Sequence, residues 1–181
     1  MDDPFRRHLP RLEPEWYRGL AFVHWTPTIE HRATGWLTPD FNRAWQWELL
    51  HACARYKLAC PTFVLMPDHL HFLWLGLNEA GSDQQVAIEF LTKNLRPHLS
   101  GVDFQRQPFD QVLRAKERNP DTFLNVAGYI LDNPVRAGLV GHRAEWPYSG
   151  CCVPGYPDLN VHGEDYWELF WRIYNKLVDH R

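Results

Sequence analysis

The segment MPDHLHFLW, residues 66–74, contains the residues with the clearest chemical potential. His69 and His71 lie two positions apart in a segment whose other residues are typical of a β-strand. Alternate residues of a strand point to the same face, so the two imidazoles are predicted to project together. Such a pair can ligate a divalent ion, or each histidine can make a separate hydrogen bond in a polar pocket. The pattern alone leaves both interpretations open.

A second segment, residues 119–132, predicts a helix with a tyrosine at the edge of its apolar face. At helical spacing, one apolar stripe is formed by Phe123, Leu124, Val126, Ala127, Ile130 and Leu131. Tyr129 lies beside this stripe, with Asn125 one turn before it and Asn133 one turn after it. This placement suits a nucleophile with a neighbouring amide, and it equally suits a boundary tyrosine that covers the core. Gly128 removes bulk and would let a substrate backbone approach.

The rest of the pattern predicts the elements that must position these residues. Strands are predicted at residues 19–25, 62–66, 69–75 and 109–114, and helices at 39–58, 86–96, 119–132 and 164–178. Asn133-Pro134 is predicted to end the third helix, because the residue before a proline disfavours the α conformation. The order of elements predicts an α+β fold with a largely antiparallel sheet.

Composition limits the class of protein. The 181 residues, 45% of them hydrophobic, suffice for one packed domain and are too few for a typical TIM barrel. No apolar run approaches the ~20 residues of a membrane helix, and no signal peptide is recognisable, so a cytoplasmic location is expected. The four cysteines form no CxxC pair and are expected to be reduced thiols. A net charge of −3 counts against a nucleic-acid partner, although the arginines are grouped.

Three motifs together resemble one known family. They are MPDHLHFLW, then YILDNPVRAGLV about sixty residues later, then EWPYS at residues 145–149. In this order and spacing they resemble the single-tyrosine HUH transposases, named for two histidines around a hydrophobic residue. The most similar branch is that of the REP-associated tyrosine transposases, which process repetitive extragenic palindromes. The resemblance covers roughly residues 17–149.

The resemblance implies a fold, a reaction and a metal site. The fold is a small antiparallel sheet flanked by helices, of the ferredoxin or RRM-like type, with the histidines on a central strand. Tyr129 would attack a phosphate of single-stranded or hairpin DNA, form a 5′-phosphotyrosine link and release a 3′-hydroxyl. His69 and His71 would bind Mg²⁺ or Mn²⁺, with Asn133 as a third ligand and Asp68 as a further candidate.

The resemblance also suggests partners and organisation. Arg18, Arg114 and Arg136 are candidates for DNA contacts, and a monomer associated with the nucleoid is expected. A transposase domain is predicted at residues 1–150, followed by a tail at 151–181 with one helix packed on it.

Three features depart from the family pattern, and two alternative functions stay open. Asp68 stands where the family often has Asn, and Gln111 where many relatives have His. The chain is also more acidic than expected for a transposase. One alternative is a non-catalytic hairpin-DNA-binding protein descended from such an enzyme. The other is a metal-dependent nuclease that uses water, in which Tyr129 would only pack.

Overall fold

The protein folds around one five-stranded antiparallel sheet. The structure, a computed structural model, describes residues 11–114 and 118–178. The strands are β1 (Phe22–Thr26), β2 (Leu58–Leu65), β3 (Leu70–Gly76), β4 (Phe109–Leu113) and β5 (Ser149–Cys152). Their order across the sheet is β4-β1-β3-β2-β5, so β1 and β3 lie inside the sheet. Every neighbouring pair is antiparallel, which confirms the predicted α+β class.

Helices cover both faces of this sheet. They are α1 (Pro39–Arg55), α2 (Gln84–Leu95), α3 (Pro120–Leu131), α4 (Asn133–Arg136) and α5 (Tyr166–Leu177). Side chains cap the N-termini of α1, α2 and α3. The Thr38 hydroxyl accepts from Phe41 N, and the Asp83 carboxylate accepts from the first turn of α2. Asn119, the predicted cap of α3, accepts from Thr122 N at 3.0 Å. None of the helices within the described residues is long and apolar enough to cross a membrane.

Strand alternation divides the core into two apolar layers. On one face, α1 and α2 cover residues that include Val23, Trp25, Phe72 and Trp74. On the other face, α3 and α5 cover residues that include Phe22, Val64, Leu73 and Leu113. His24 and His71 alternate with the first group along β1 and β3, so their side chains belong to the α3 face.

One strand of the sheet was missed by the sequence pattern. The four-residue strand β5 was not predicted, and it crosses residue 150, the predicted boundary between the two domains. The chain ends of those two predicted domains, residues 1–10 and 179–181, lie outside the described residues. The prediction that Asn133-Pro134 ends the third helix is confirmed, because α3 ends at Leu131 with Asp132 as its C-cap. A separate short helix, α4, follows directly. Asp132 keeps a right-handed backbone (φ −85°, ψ −4°), and Pro134 lies in the first turn of α4, where its missing N–H needs no partner.

Candidate active site

His69 and His71 lie at the start of β3 with their ring tips together. The Met66 N–H donates to the His69 carbonyl at 2.8 Å and closes the turn that contains Pro67-Asp68. The two Nε2 atoms are 3.0 Å apart, and the rings stand at 87°. The same-face geometry predicted from the sequence is therefore present. A separation of 3.0 Å also matches two adjacent ligands of one small ion at roughly 2.1 Å.

Asp68 and Arg32 lie beside the Nδ1 atom of His69. One carboxylate oxygen of Asp68 is 2.6 Å from His69 Nδ1, and the other accepts from Arg32 at 2.9 Å. Burial raises the pKa of Asp68, but the His69 hydrogen bond and the nearby charges outweigh it and leave the pKa below its ordinary value. Asp68 thus lies on the Nδ1 side of His69, away from the Nε2 atoms. Arg32 itself has a left-handed backbone (φ +54°), which is uncommon for a residue with a side chain.

His24 is a site residue that the sequence analysis did not identify. Its Nε2 lies 3.0 Å from His71 Nδ1, and the Thr26 hydroxyl lies 3.2 Å from the same atom. Burial lowers the pKa of His24 to about 4. Burial, together with the neighbouring His24, His69 and Arg32, lowers the pKa of His71 to about 2. Both imidazoles are therefore neutral at pH 7, the form in which an imidazole can offer a lone pair.

Tyr129 projects from α3 toward these histidines. Its ring centroid is 6.3 Å from that of His71, at an interplanar angle of 77°, and 43% of the residue is exposed. The Arg136 guanidinium lies 4.5 Å from the Tyr129 ring centroid, in a cation–π contact. The Asn133 amide nitrogen donates to the carbonyls of Tyr129 and Ile130, at 2.9 and 3.3 Å. This amide thus caps the end of the helix that carries Tyr129.

The structure does not bring all the candidate arginines to the site. Arg18 pairs with Asp83 at the start of α2, with 2.9 Å between the charged atoms. Arg114 lies over the Trp16 ring at 5.6 Å. Neither residue lines the cleft at Tyr129, whereas Arg32, which was not predicted, does. Sequence distance from the motifs gives no information about the face of the sheet on which an arginine lies.

An open cleft of about 660 Å³ separates α3 from β1 and β4 at this point. The lining is mainly amide, hydroxyl and aromatic side chains: His24, Thr26, Thr28, Arg32, His71, Gln105, Gln107, Phe109, Gln111, Thr122, Asn125, Val126 and Tyr129. None of these lining residues is acidic, which suits an anionic ligand. Within the described residues, His, Cys, Asp and Glu side chains form no group of three or more arranged to hold a metal ion. A metal here would need a ligand of another type besides the two histidines.

A paired-histidine strand facing a helical tyrosine is the arrangement that the motif resemblance implied. No protein-family model matches the chain. A Haemophilus influenzae protein named as a REP-associated tyrosine transposase is 24% identical, with 81% of this chain and 93% of the relative covered.

A solved structure shows the same fold. It is that of a REP-associated tyrosine transposase bound to a REP hairpin, with a TM-score of 0.65, 19% identity, and 79% of this chain and 81% of that chain covered. The resemblance to REP-associated tyrosine transposases is therefore confirmed in sequence and in fold.

Proposed function

We propose that this protein cleaves and rejoins single-stranded or hairpin DNA, with Tyr129 as the nucleophile. The observation that carries the proposal is the position of the Tyr129 ring, 6.3 Å from the His71 ring and on the same face of the sheet as the converging Nε2 atoms. The solved relative is bound to a REP hairpin, so we propose REP-like palindromes as the substrate of this chain.

We further propose that His69 and His71 hold Mg²⁺ or Mn²⁺. Their donor set fits, because both Nε2 atoms point to one place and the Nδ1 atoms are occupied by other partners. The side-chain amide oxygen of Asn133 (Oδ1), which makes no hydrogen bond within the described residues, is the proposed third ligand. When bound, a divalent ion would polarise the scissile phosphate and balance its developing charge.

The residues around the histidines would set their protonation. Asp68 accepts from His69 Nδ1–H, so the His69 Nε2 atom carries a lone pair and not a proton. His24 Nε2 accepts from His71 Nδ1–H in the same way, because burial keeps His24 neutral. Asp68 and His24 therefore fix His69 and His71 in the tautomer with a proton on Nδ1 and a lone pair on Nε2, which a metal ligand needs.

Tyr129 would carry out the covalent step. Its Oη forms a bond to phosphorus as the bond from phosphorus to the 3′ oxygen breaks, and the phenol proton passes through solvent to the leaving 3′ oxygen. Arg136, against the Tyr129 ring, supplies positive charge beside the entering phosphate. The phosphotyrosine diester retains a reactive phosphorus ester, so a 3′-hydroxyl can reverse the step and reseal the strand.

A covalent adduct is the test of this proposal. End-labelled hairpin DNA is incubated with Mg²⁺ or Mn²⁺ and either the wild-type protein, Tyr129→Phe, or the control Tyr56→Phe on the other face of the sheet. We expect a protein–DNA band in a denaturing gel for wild type and control, and none for Tyr129→Phe. The ring of Tyr129 is already 43% exposed, so loss of its hydroxyl should leave folding unchanged.

Three results would contradict the proposal in different ways. An adduct that persists in Tyr129→Phe would identify another nucleophile. Cleavage without any adduct would indicate a nuclease that uses water. Tight hairpin binding with no cleavage by the wild-type protein would indicate a DNA-binding protein without catalytic activity.

A further inference from the structure

The cleft beside Tyr129 has two walls, and several side chains on them have no role in the proposed chemistry. One wall is formed by β4 and the residues that precede it, and the other by α3. The His71 and Tyr129 rings, with centroids 6.3 Å apart, line the same cleft. A phosphate at Tyr129 would therefore place the adjoining nucleotide between these walls.

Four side-chain amides converge on this cleft. Gln105, Gln107 and Gln111 come from the β4 wall, and Asn125 comes from α3, one turn before Tyr129. Within the described residues, none of these amide groups makes a side-chain hydrogen bond. Each is electrically neutral and presents a donor and an acceptor side by side. Such groups match the polar edge of a nucleobase better than a charged phosphate.

Phe109 adds an exposed aromatic surface to the same wall. It is 57% exposed, although it belongs to a strand. It is two positions from Gln111, so both side chains project from the same face of β4. An exposed ring beside unpaired amides has the composition of a stacking surface for an unpaired base.

We propose that this cleft binds one unpaired nucleobase next to the scissile phosphate, stacked on Phe109 and hydrogen-bonded by the four amides, with adenine preferred. A glutamine or asparagine amide pairs with the N6 donor and N7 acceptor of adenine. Guanine is read mainly by Arg or Lys. Among the described residues that line the cleft, the one such cation is Arg32, and it is bound to Asp68. Cytosine is read by carboxylates, and no described residue that lines the cleft carries one.

This inference rests on the proposed function and can fail separately from it. The probe is a fluorescein-labelled DNA hairpin with single-stranded thymine flanks, in which one flank position at a time carries adenine, cytosine, guanine or an abasic residue. Binding is measured by fluorescence anisotropy with full-length Tyr129→Phe, so that no strand is cut. We expect one flank position at which adenine binds about 5- to 100-fold more tightly than the other bases or the abasic residue.

Variants of the cleft sharpen the test. Gln111→Ala and Phe109→Ala, made in the same background, should each remove the preference for adenine and weaken binding about 5- to 100-fold. Matched controls on the opposite face are Gln85→Ala on α2 and Trp47→Ala on α1. The exposed fraction of Trp47, 59%, is similar to that of Phe109. Both controls should leave the affinity for the hairpin unchanged. Far-ultraviolet circular dichroism confirms that every variant is folded.

Each outcome decides between the two proposals. If no hairpin or single strand is bound at all, the proposed function fails. If DNA is bound equally whatever the flank base, or another base is preferred, the adenine pocket is overturned while the function stands. Unchanged affinity in both cleft variants would likewise overturn the pocket.

Discussion

The two faces of the sheet use the same strands for different purposes. On the α1 and α2 face, β1 and β3 contribute Val23, Trp25, Phe72 and Trp74, all with no exposed surface. On the α3 face the same two strands contribute His24 and His71, which lie at the bottom of an open cleft. Because alternate residues of a strand face opposite ways, the tightly packed face fixes the backbone that aims the imidazoles. The apolar face under α1 and α2 is therefore expected to determine stability. The polar face under α3 is expected to determine the chemistry.

The largest expected effect comes from the packed face. Trp45 of α1 is fully buried against Phe63 and Phe72. Trp45→Ala should lower the free energy of unfolding by about 3–5 kcal/mol, because it removes apolar contacts and leaves a cavity. The measurement is a urea titration, with Ile88→Val as a milder variant expected to cost about 0.5–1.5 kcal/mol. The folded fraction should still bind Mn²⁺ with wild-type affinity, and a loss of that affinity would break the division between the faces.

Acid should destabilise the polar face. The pKa of His24 is about 4 in the folded protein and 6.5 ordinarily, because burial penalises the charged ring. Between these pH values His24 is protonated in the unfolded chain but not in the folded protein. Its contribution to the free energy of unfolding is therefore fully present above pH 6.5 and is lost as the pH falls toward 4. His24 alone contributes a loss on the order of 3 kcal/mol, and His71, whose pKa is also lowered by burial, adds to it. It is measured by urea titrations in EDTA from pH 7 to pH 4, and His24→Phe should show a smaller loss than wild type.

His24 should also affect metal binding without touching the metal. His24→Phe keeps a ring in place but removes the acceptor for His71 Nδ1. We expect the affinity for Mn²⁺, followed by electron paramagnetic resonance, to fall about 10- to 100-fold. His51→Phe on α1 is the control and should bind Mn²⁺ as wild type does. Equal affinities in both variants would show that Thr26 alone is enough to orient His71.

The smallest expected effect is at Gly128. A Cβ added there would meet nothing within 4 Å beyond its own helix backbone and chain neighbours, so Gly128→Ala should raise stability by about 0.5–1 kcal/mol through helix propensity. Thermal unfolding measures this change. If DNA passes beside α3, as the missing side chain predicts, hairpin affinity should fall in the same variant. A rise in stability with unchanged affinity would place the DNA elsewhere.

The sequence predicted what depends on local pattern. Three features follow from residues that are close together in the sequence, and the structure contains each of them. They are the helix cap at Asn119, the hairpin before His69 and the tyrosine at the edge of the apolar stripe. The family resemblance supplied the link between the tyrosine and the histidines, which spacing alone could not provide.

What was missed depends on contacts between distant parts of the chain. His24 is 47 residues from its partner His71, and a single histidine between Val23 and Trp25 carries no local sign of that contact. Strand β5 has the sequence SGCC, which lacks an alternating pattern and becomes a strand by pairing with β2. Arg32 reaches Asp68 through a turn with a left-handed backbone, and such turns have no clear signature in residues other than glycine.

The strand order has a consequence for the shape of the substrate. Because β4 is an edge strand within the described sheet, the cleft lies next to an open side of the fold, and its rim residues Gln107, Phe109, Asn125 and Tyr129 are exposed. Nothing in that arrangement requires a strand to be threaded through a ring of protein. On the proposed function, a DNA strand can enter the cleft sideways at any point along its length, so a closed circle without ends should be as good a substrate as a short linear strand.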